Sequence, residues 1–164
     1  MQAIVADEAG FAPRVKSLMG DTYNLQRFVD AQEDHFEDAS EELRRGQKTS
    51  HWMWFIFPQI EGLGSSSMAQ RFAIHSIDEA RAYLTHPVLG PRLRECTRLV
   101  NTHQGAPRNR SIHQILGYPD DLKFKSSMTL FARAAEDNEV FVEALRLFFE
   151  GEFDQLTLDR LARG

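Results

Sequence analysis

The sequence predicts a mainly α fold: a single compact helical domain with one extended aromatic segment and room for a small β element. Three observations carry this. Apolar residues recur at helical spacing through most of the chain, Trp52–Phe57 instead sets Trp, Phe and Ile side by side, and no internal repeat or low-complexity tract divides the chain. A length of 164 residues suits one domain with a substantial core, and 42% hydrophobic with 26% charged residues is ordinary for a soluble globular protein. Residues 1–20, punctuated by Gly10, Pro13 and Gly20, read as a flexible N-terminal extension, and residues 21–164 as one globular domain.

The first helix is expected from Asn24 as N-cap to Gly46 as C-terminal stop, with Leu25, Phe28, Val29, Gln32, Phe36, Ala39 and Leu43 on one face. The opposite face carries Asp30, Glu33, Asp34, Glu37, Asp38 and Glu41 and reads as a solvated surface, without the residue order of a calcium loop. Trp52–Phe57 reads as a buried strand or extended segment that Pro58 ends. Gly62, Gly64 and Ser65-Ser66-Ser67 then form a small-residue loop whose N–H groups can come close to a ligand. Ser76-Ile77-Asp78-Glu79 is a capping box opening a helix to Tyr83 or Leu84, which His86-Pro87 breaks. A helix from about Pro91 to Thr102 turns Leu93, Cys96, Leu99 and Val100 inward. Asn101 to Arg110 is a polar loop, and Ser111 to Gly117 a short helical turn. Tyr118-Pro119-Asp120-Asp121 starts a helix that runs to about Ala135, in which Asp121 and Lys125 are spaced to pair. Glu139 to Glu150 forms the last long helix, and Leu156, Leu158 and Leu161 mark a short terminal one.

Composition excludes several classes. A net charge of −5 argues against a nucleic-acid footprint, which needs a basic face. Cys96 is the only cysteine, so an intramolecular disulfide and a thiolate metal cluster are both excluded; the reducing cytoplasm is the expected compartment, and Cys96 itself reads as buried and inert. No apolar run approaches the ~18 residues that span a bilayer, and Asp7 and Glu8 stand where a secretion signal needs a basic start. The six histidines show no paired spacing, so neither a metal site nor a cofactor is called for.

Three constellations can carry chemistry. In Lys48-Thr49-Ser50-His51-Trp52, Lys48 offers charge and His51 a proton beside the flat faces of Trp52 and Trp54. On a strand the two indoles share one face, where they either stack on a nucleobase or form core. Ser50 and Gln59 flank this stretch as polar contacts. In Asp120-Asp121-Leu122-Lys123, either carboxylate serves as a first-turn acid or as a general base, with Lys123 holding a phosphate. Ser126-Ser127 either allows close helix packing or presents two hydroxyls to a ligand.

Five blocks stand out: Asn24 to Gln32, Lys48 to Gln59, Gly62-Leu63-Gly64, Tyr83 to Gly90 and Pro119 to Phe131. Together they resemble a bacterial family of unknown function, the eighteen-ten family, often labelled "calpastatin" in genomes. The resemblance covers about residues 24–150 and implies a compact, mainly helical fold with an uncharacterised role. An inhibitory calpastatin is disordered and repetitive, whereas this composition is globular. The order of the His/Trp segment, Glu79-Ala80, Leu89-Gly90-x-Arg92 and a Lys- and Met-bearing helix ending at Phe131 is also similar to the NADAR superfamily. That group is linked to NAD, ADP-ribose and N-glycosidic hydrolysis; its glutamate-histidine pair is Ser50-His51 here.

These observations frame three expectations. One is a hydrolase of a nucleotide or ADP-ribose-derived small molecule, with His51, Asp120 and Asp121 catalytic and Lys48, Ser50, Trp52, Trp54, Gln59, Lys123, Ser126 and Ser127 binding the ligand. The second is a non-catalytic module for the same ligand. The third is a protein-interaction domain using the acidic helix face.

Overall fold

Ten helices and one small hairpin account for the regular structure of residues 20–105 and 107–164, which the computed structural model describes. The expected extension falls almost wholly on residues 1–19, outside the described residues. The helices are α1 (Gln26–Glu33), α2 (Phe36–Arg45), α3 (Met53–Ile56), α4 (Ser67–Arg71), α5 (Ile77–Thr85), α6 (Leu89–Asn101), α7 (Ile112–Leu116), α8 (Asp120–Ala134), α9 (Glu139–Phe149) and α10 (Gln155–Arg163). Between α6 and α7 the expected polar loop folds into an antiparallel hairpin, β1 (Gln104–Gly105) with β2 (Arg108–Asn109). The fold is mainly helical, as the periodicity predicts.

Helix α8 is the central element. It packs against α5, α7, α9 and α10, and it buries Phe124, Met128, Leu130 and Phe131 together with Ser126, Ser127 and Thr129. A helix buried on most of its circumference loses the one-sided pattern of a surface helix. A chain of aromatic contacts runs through the core from Phe72 to Phe28, Tyr83, Phe131 and Phe141, with ring centroids 5.7, 5.0, 5.4 and 5.9 Å apart. Burial pushes the Tyr83 phenol upward in pKa, and the Gln32 amide donates to its oxygen at 3.2 Å. At the α5–α6 corner, a Cβ on Gly90 would run into the Leu84 carbonyl, so the backbones meet there only because the residue is glycine.

Two elements differ from expectation. The first helix is broken into α1 and α2 at Asp34–His35, and Asp21 rather than Asn24 caps it, accepting from the Leu25 and Gln26 N–H groups at 2.7 and 2.9 Å. Gly46 ends α2 in the left-handed region, as expected. The aromatic stretch is a helical turn, α3, rather than a strand. Among the described residues no strand lies beside it, and its backbone groups are satisfied within the turn and by a side chain from α1: Ile56 N–H donates to the Trp52 carbonyl at 3.1 Å and the Gln32 amide to the Phe55 carbonyl at 2.8 Å. Successive side chains then diverge by about 100° instead of alternating. Trp52 points into the core, fully buried, while Trp54 is only half-buried.

Candidate functional site

Glu42 organises the segment that the sequence singles out. It sits on the buried face of α2, and its carboxylate accepts four hydrogen bonds. Three converge on Oε1, from the Thr49 N–H (2.8 Å), the Ser50 N–H (2.9 Å) and the Trp52 indole N–H (2.9 Å). The Ser50 hydroxyl donates to Oε2 at 2.5 Å. Burial by itself would raise the carboxyl's pKa; the four donors outweigh it and bring it from 4.5 down to about 2. This ionised side chain, together with the Ile115 carbonyl that accepts from the Lys48 N–H at 2.7 Å, fixes a stretch without regular structure.

Beyond this anchor, charge and aromatic faces alternate. Lys48 Nζ lies 5.0 Å from the Trp52 ring centroid and 2.9 Å from Asp120 Oδ2. The other Asp120 oxygen is 3.7 Å from Lys123 Nζ, which lies 5.6 Å from the Trp54 ring centroid. Two ammonium groups share one carboxylate, so Lys123 retains positive charge for an anion. Lys123 and Trp54 open onto a cleft of about 410 Å³, which Gln59, Glu61, His75 and the loop of Gly62, Gly64 and Ser65 complete.

The floor of the cleft is a pair of extended strips. Ile60 and Ile74 form a parallel bridge, Glu61 N–H donates to the Ile74 carbonyl at 2.8 Å, and Ile74 N–H to the Gln59 carbonyl at 2.9 Å. This brings Glu61 beside His75, with Glu61 Oε1 3.9 Å from His75 Nε2. The Arg160 Nε–H from α10 donates to the Glu61 carbonyl at 3.0 Å and presses on Gly62, whose φ of +92° favours glycine.

The expected site residues thus divide. Trp54, Gln59 and Lys123 line the cleft, with Asp120 and Lys48 behind Lys123. Trp52 and Ser50 are committed to Glu42. His51 is exposed and lies outside the cleft lining. The Asp121 carboxylate accepts from the Leu122 N–H at 2.8 Å and faces His113 Nδ1 at 3.3 Å; its expected partner Lys125 lies 3.7 Å from Glu152 instead. Ser126 donates to Asp154 at 3.1 Å and so secures α10, and Ser127 is buried with no hydrogen-bond partner.

Sequence reasoning missed Glu42, Glu61 and His75, and it misplaced the role of Glu79. Ser76 does accept from the Glu79 N–H at 3.1 Å, as half of a capping box. The Glu79 carboxylate turns elsewhere: it accepts from the His75 N–H at 3.0 Å, lies 3.1 Å from His75 Nδ1, and pairs with Arg27 at 2.9 Å. The available signal was an acid at a core position. Glu42 falls three residues after buried Ala39, and Glu79 four before buried Tyr83.

Fold and site together define a class: a mainly helical domain in which a glutamate-anchored aromatic turn walls a polar cleft. Within that class the chain belongs to the family described as Protein of unknown function (DUF1810), which matches residues 22–161. It is similar to the conserved hypothetical protein Rv1873 from Mycobacterium tuberculosis, known from a crystal structure at 1.38 Å. The two are 54% identical with a TM-score of 0.83, over 87% of this chain and 99% of that one. No curated protein matches. Among the described residues no helix is long and apolar enough to cross a membrane.

Proposed function

We propose that this protein binds a nucleotide-like small molecule in the cleft beside Trp54. The observation that carries the reading is the Lys123 ammonium poised over the Trp54 ring at the cleft wall, 5.6 Å from its centroid. A half-buried indole face suits a nucleobase, and an ammonium with its carboxylate already shared suits a phosphate. Asp120 and Lys48 hold Lys123 in place, Gln59 offers an amide to the edge of the base, and the Gly62 loop brings backbone N–H groups near. A volume of about 410 Å³ fits the small-molecule range of ~300–1,000 Å³.

Isothermal titration with ADP-ribose tests the reading. Wild type is expected to bind. Lys123→Ala is expected to weaken binding at least ~10-fold, the worth of a charged hydrogen bond of about 1.5–3 kcal/mol, and Trp54→Leu is expected to weaken it as well. No heat with wild type, or equal affinity in all three proteins, overturns it.

A further inference from the structure

We infer that Arg160 and Arg163 form a second oxyanion site next to the cleft, so that one ligand with an anionic group at each end spans the two. The inference rests on the reading above only for Lys123 as the first anion contact; it adds a second contact and requires no nucleobase.

The cleft does not end at Glu61 and His75. A second hollow of about 330 Å³ adjoins it and shares Ile60, Glu61 and His75 with it. Arg160 and Arg163, from the last turn of α10, line this hollow. Arginines in a last turn complement the helix dipole whichever way their side chains point. Arg160 is fixed more narrowly. Its Nε–H donates to the Glu61 carbonyl at 3.0 Å, and its guanidinium lies against Gly62, where a Cβ would collide with it. The helix that carries it is anchored in turn: Asp154 caps α10 and accepts from Ser126 of α8 at 3.1 Å, and Leu161 packs on the core. Nε is the nitrogen committed to the protein, so both Nη groups keep donors in the planar fork that an oxyanion accepts two at a time.

The acids around this hollow are engaged elsewhere. Glu61 Oε1 faces His75, 3.9 Å from Nε2, Asp78 pairs with Arg81 at 3.4 Å, and Asp159 accepts from the Gln155 amide at 2.9 Å. Among the described residues neither Arg160 nor Arg163 has a carboxylate at ion-pair distance. Lys123 lines the cleft and not the second hollow, whereas the two arginines line the second hollow and not the cleft. The positive charge therefore sits in two separate places. Glu61 is common to both hollows, and its carboxylate opposes a further anion between them. The ligand that fits carries a phosphate or carboxylate at each end.

Isothermal titration of the full chain with α,ω-alkane diphosphonates of increasing length tests the inference, with methylphosphonate as the single-ended reference. One length is expected to bind wild type at least ~10-fold more tightly than methylphosphonate, because the second anion then binds from within reach of the first. A parallel series of α,ω-dicarboxylates tells the two oxyanions apart, the tighter series naming the end group. Arg160→Gln is expected to remove the gain of the best diphosphonate over methylphosphonate. Should Arg160→Gln loosen the Glu61–Gly62 rim, Arg163→Gln decides: it is exposed at the helix end and is expected to reduce the gain about 3-fold. No length that binds better than methylphosphonate in either series, or the full gain in both arginine variants, overturns the inference and leaves the ligand reading standing. Lys123→Ala is also expected to remove the gain. A gain that survives Lys123→Ala but not the arginine variants overturns instead the reading of Lys123 as the first contact.

Discussion

Glu42→Gln isolates what one buried charge does for the site. Glutamine keeps the shape, and its amide oxygen can occupy the Oε1 position, where the Thr49, Ser50 and Trp52 donors converge. Its NH2 group then faces the Ser50 hydroxyl, which rotates to accept instead of donate. What is lost is the charge. The fall of the Glu42 pKa from 4.5 to about 2, at about 1.4 kcal/mol per pH decade, corresponds to roughly 3 kcal/mol. Because the folded value lies below the unfolded one, this stability is complete above about pH 5 and is lost as pH falls toward 2. Urea unfolding followed by tryptophan fluorescence is expected to show Glu42→Gln destabilised by roughly 2–3 kcal/mol at neutral pH. The gap should close on acidification, since only wild type must protonate. A neutral-pH gap under about 1 kcal/mol, or one that stays constant down to pH ~3, refutes the reasoning.

Two further outcomes follow from the geometry. Cys96 is fully buried on α6, and burial pushes its thiol up to about 12, so iodoacetamide should label it only in denaturant; labelling of the native protein at the unfolded rate contradicts this. The Asp154 carboxylate accepts from the Thr157 N–H at 3.0 Å, the Thr157 hydroxyl at 2.6 Å and the Ser126 hydroxyl, and so caps α10. Asp154→Ala should cost about 1–2 kcal/mol in a urea melt. It should also loosen Arg160's hold on the Glu61–Gly62 rim and weaken ADP-ribose binding, so unchanged affinity would uncouple α10 from the cleft.

Most of the helices were legible in the sequence because their apolar spacing and punctuation are local. Ser76, Ser111 with Gln114, and Gly46 each act at the helix end where their chemistry predicts. The aromatic turn was not legible. Trp, Phe and Ile favour strands on average, but α3 has no strand to join, and Gln32 satisfies its Phe55 carbonyl from 23 residues away. Half of the cleft was also hidden. Trp54, Gln59 and Lys123 stood out by residue type, whereas Glu79 looked like an ordinary first-turn acid until the Arg27 contact, 52 residues distant, gave it another role.

The two buried glutamates, Glu42 and Glu79, do the same physical work. Each leaves the buried face of a helix and accepts backbone N–H groups from an irregular segment: Thr49 and Ser50 for Glu42, His75 for Glu79. In a fold this helical, the loops that form the site are held by scattered contacts rather than a β-ladder: the Ile60–Ile74 bridge, the Lys48 N–H donating to the Ile115 carbonyl at 2.7 Å, and Arg160 donating to the Glu61 carbonyl. An ionised carboxylate offers two oxygens that accept from several directions at once, which a neutral side chain of similar size cannot match. The same oxygens also reach the chemistry-bearing groups, the Trp52 indole on one side and the His75 imidazole on the other. Charge therefore helps to hold the segments at the cleft, while the core built on Phe28, Tyr83 and Phe131 rests on apolar packing. Acid should loosen the Glu42 wall of the site before it dissolves the core, because protonation removes the anchor of Lys48–Trp52 and leaves the aromatic contacts of α8 untouched.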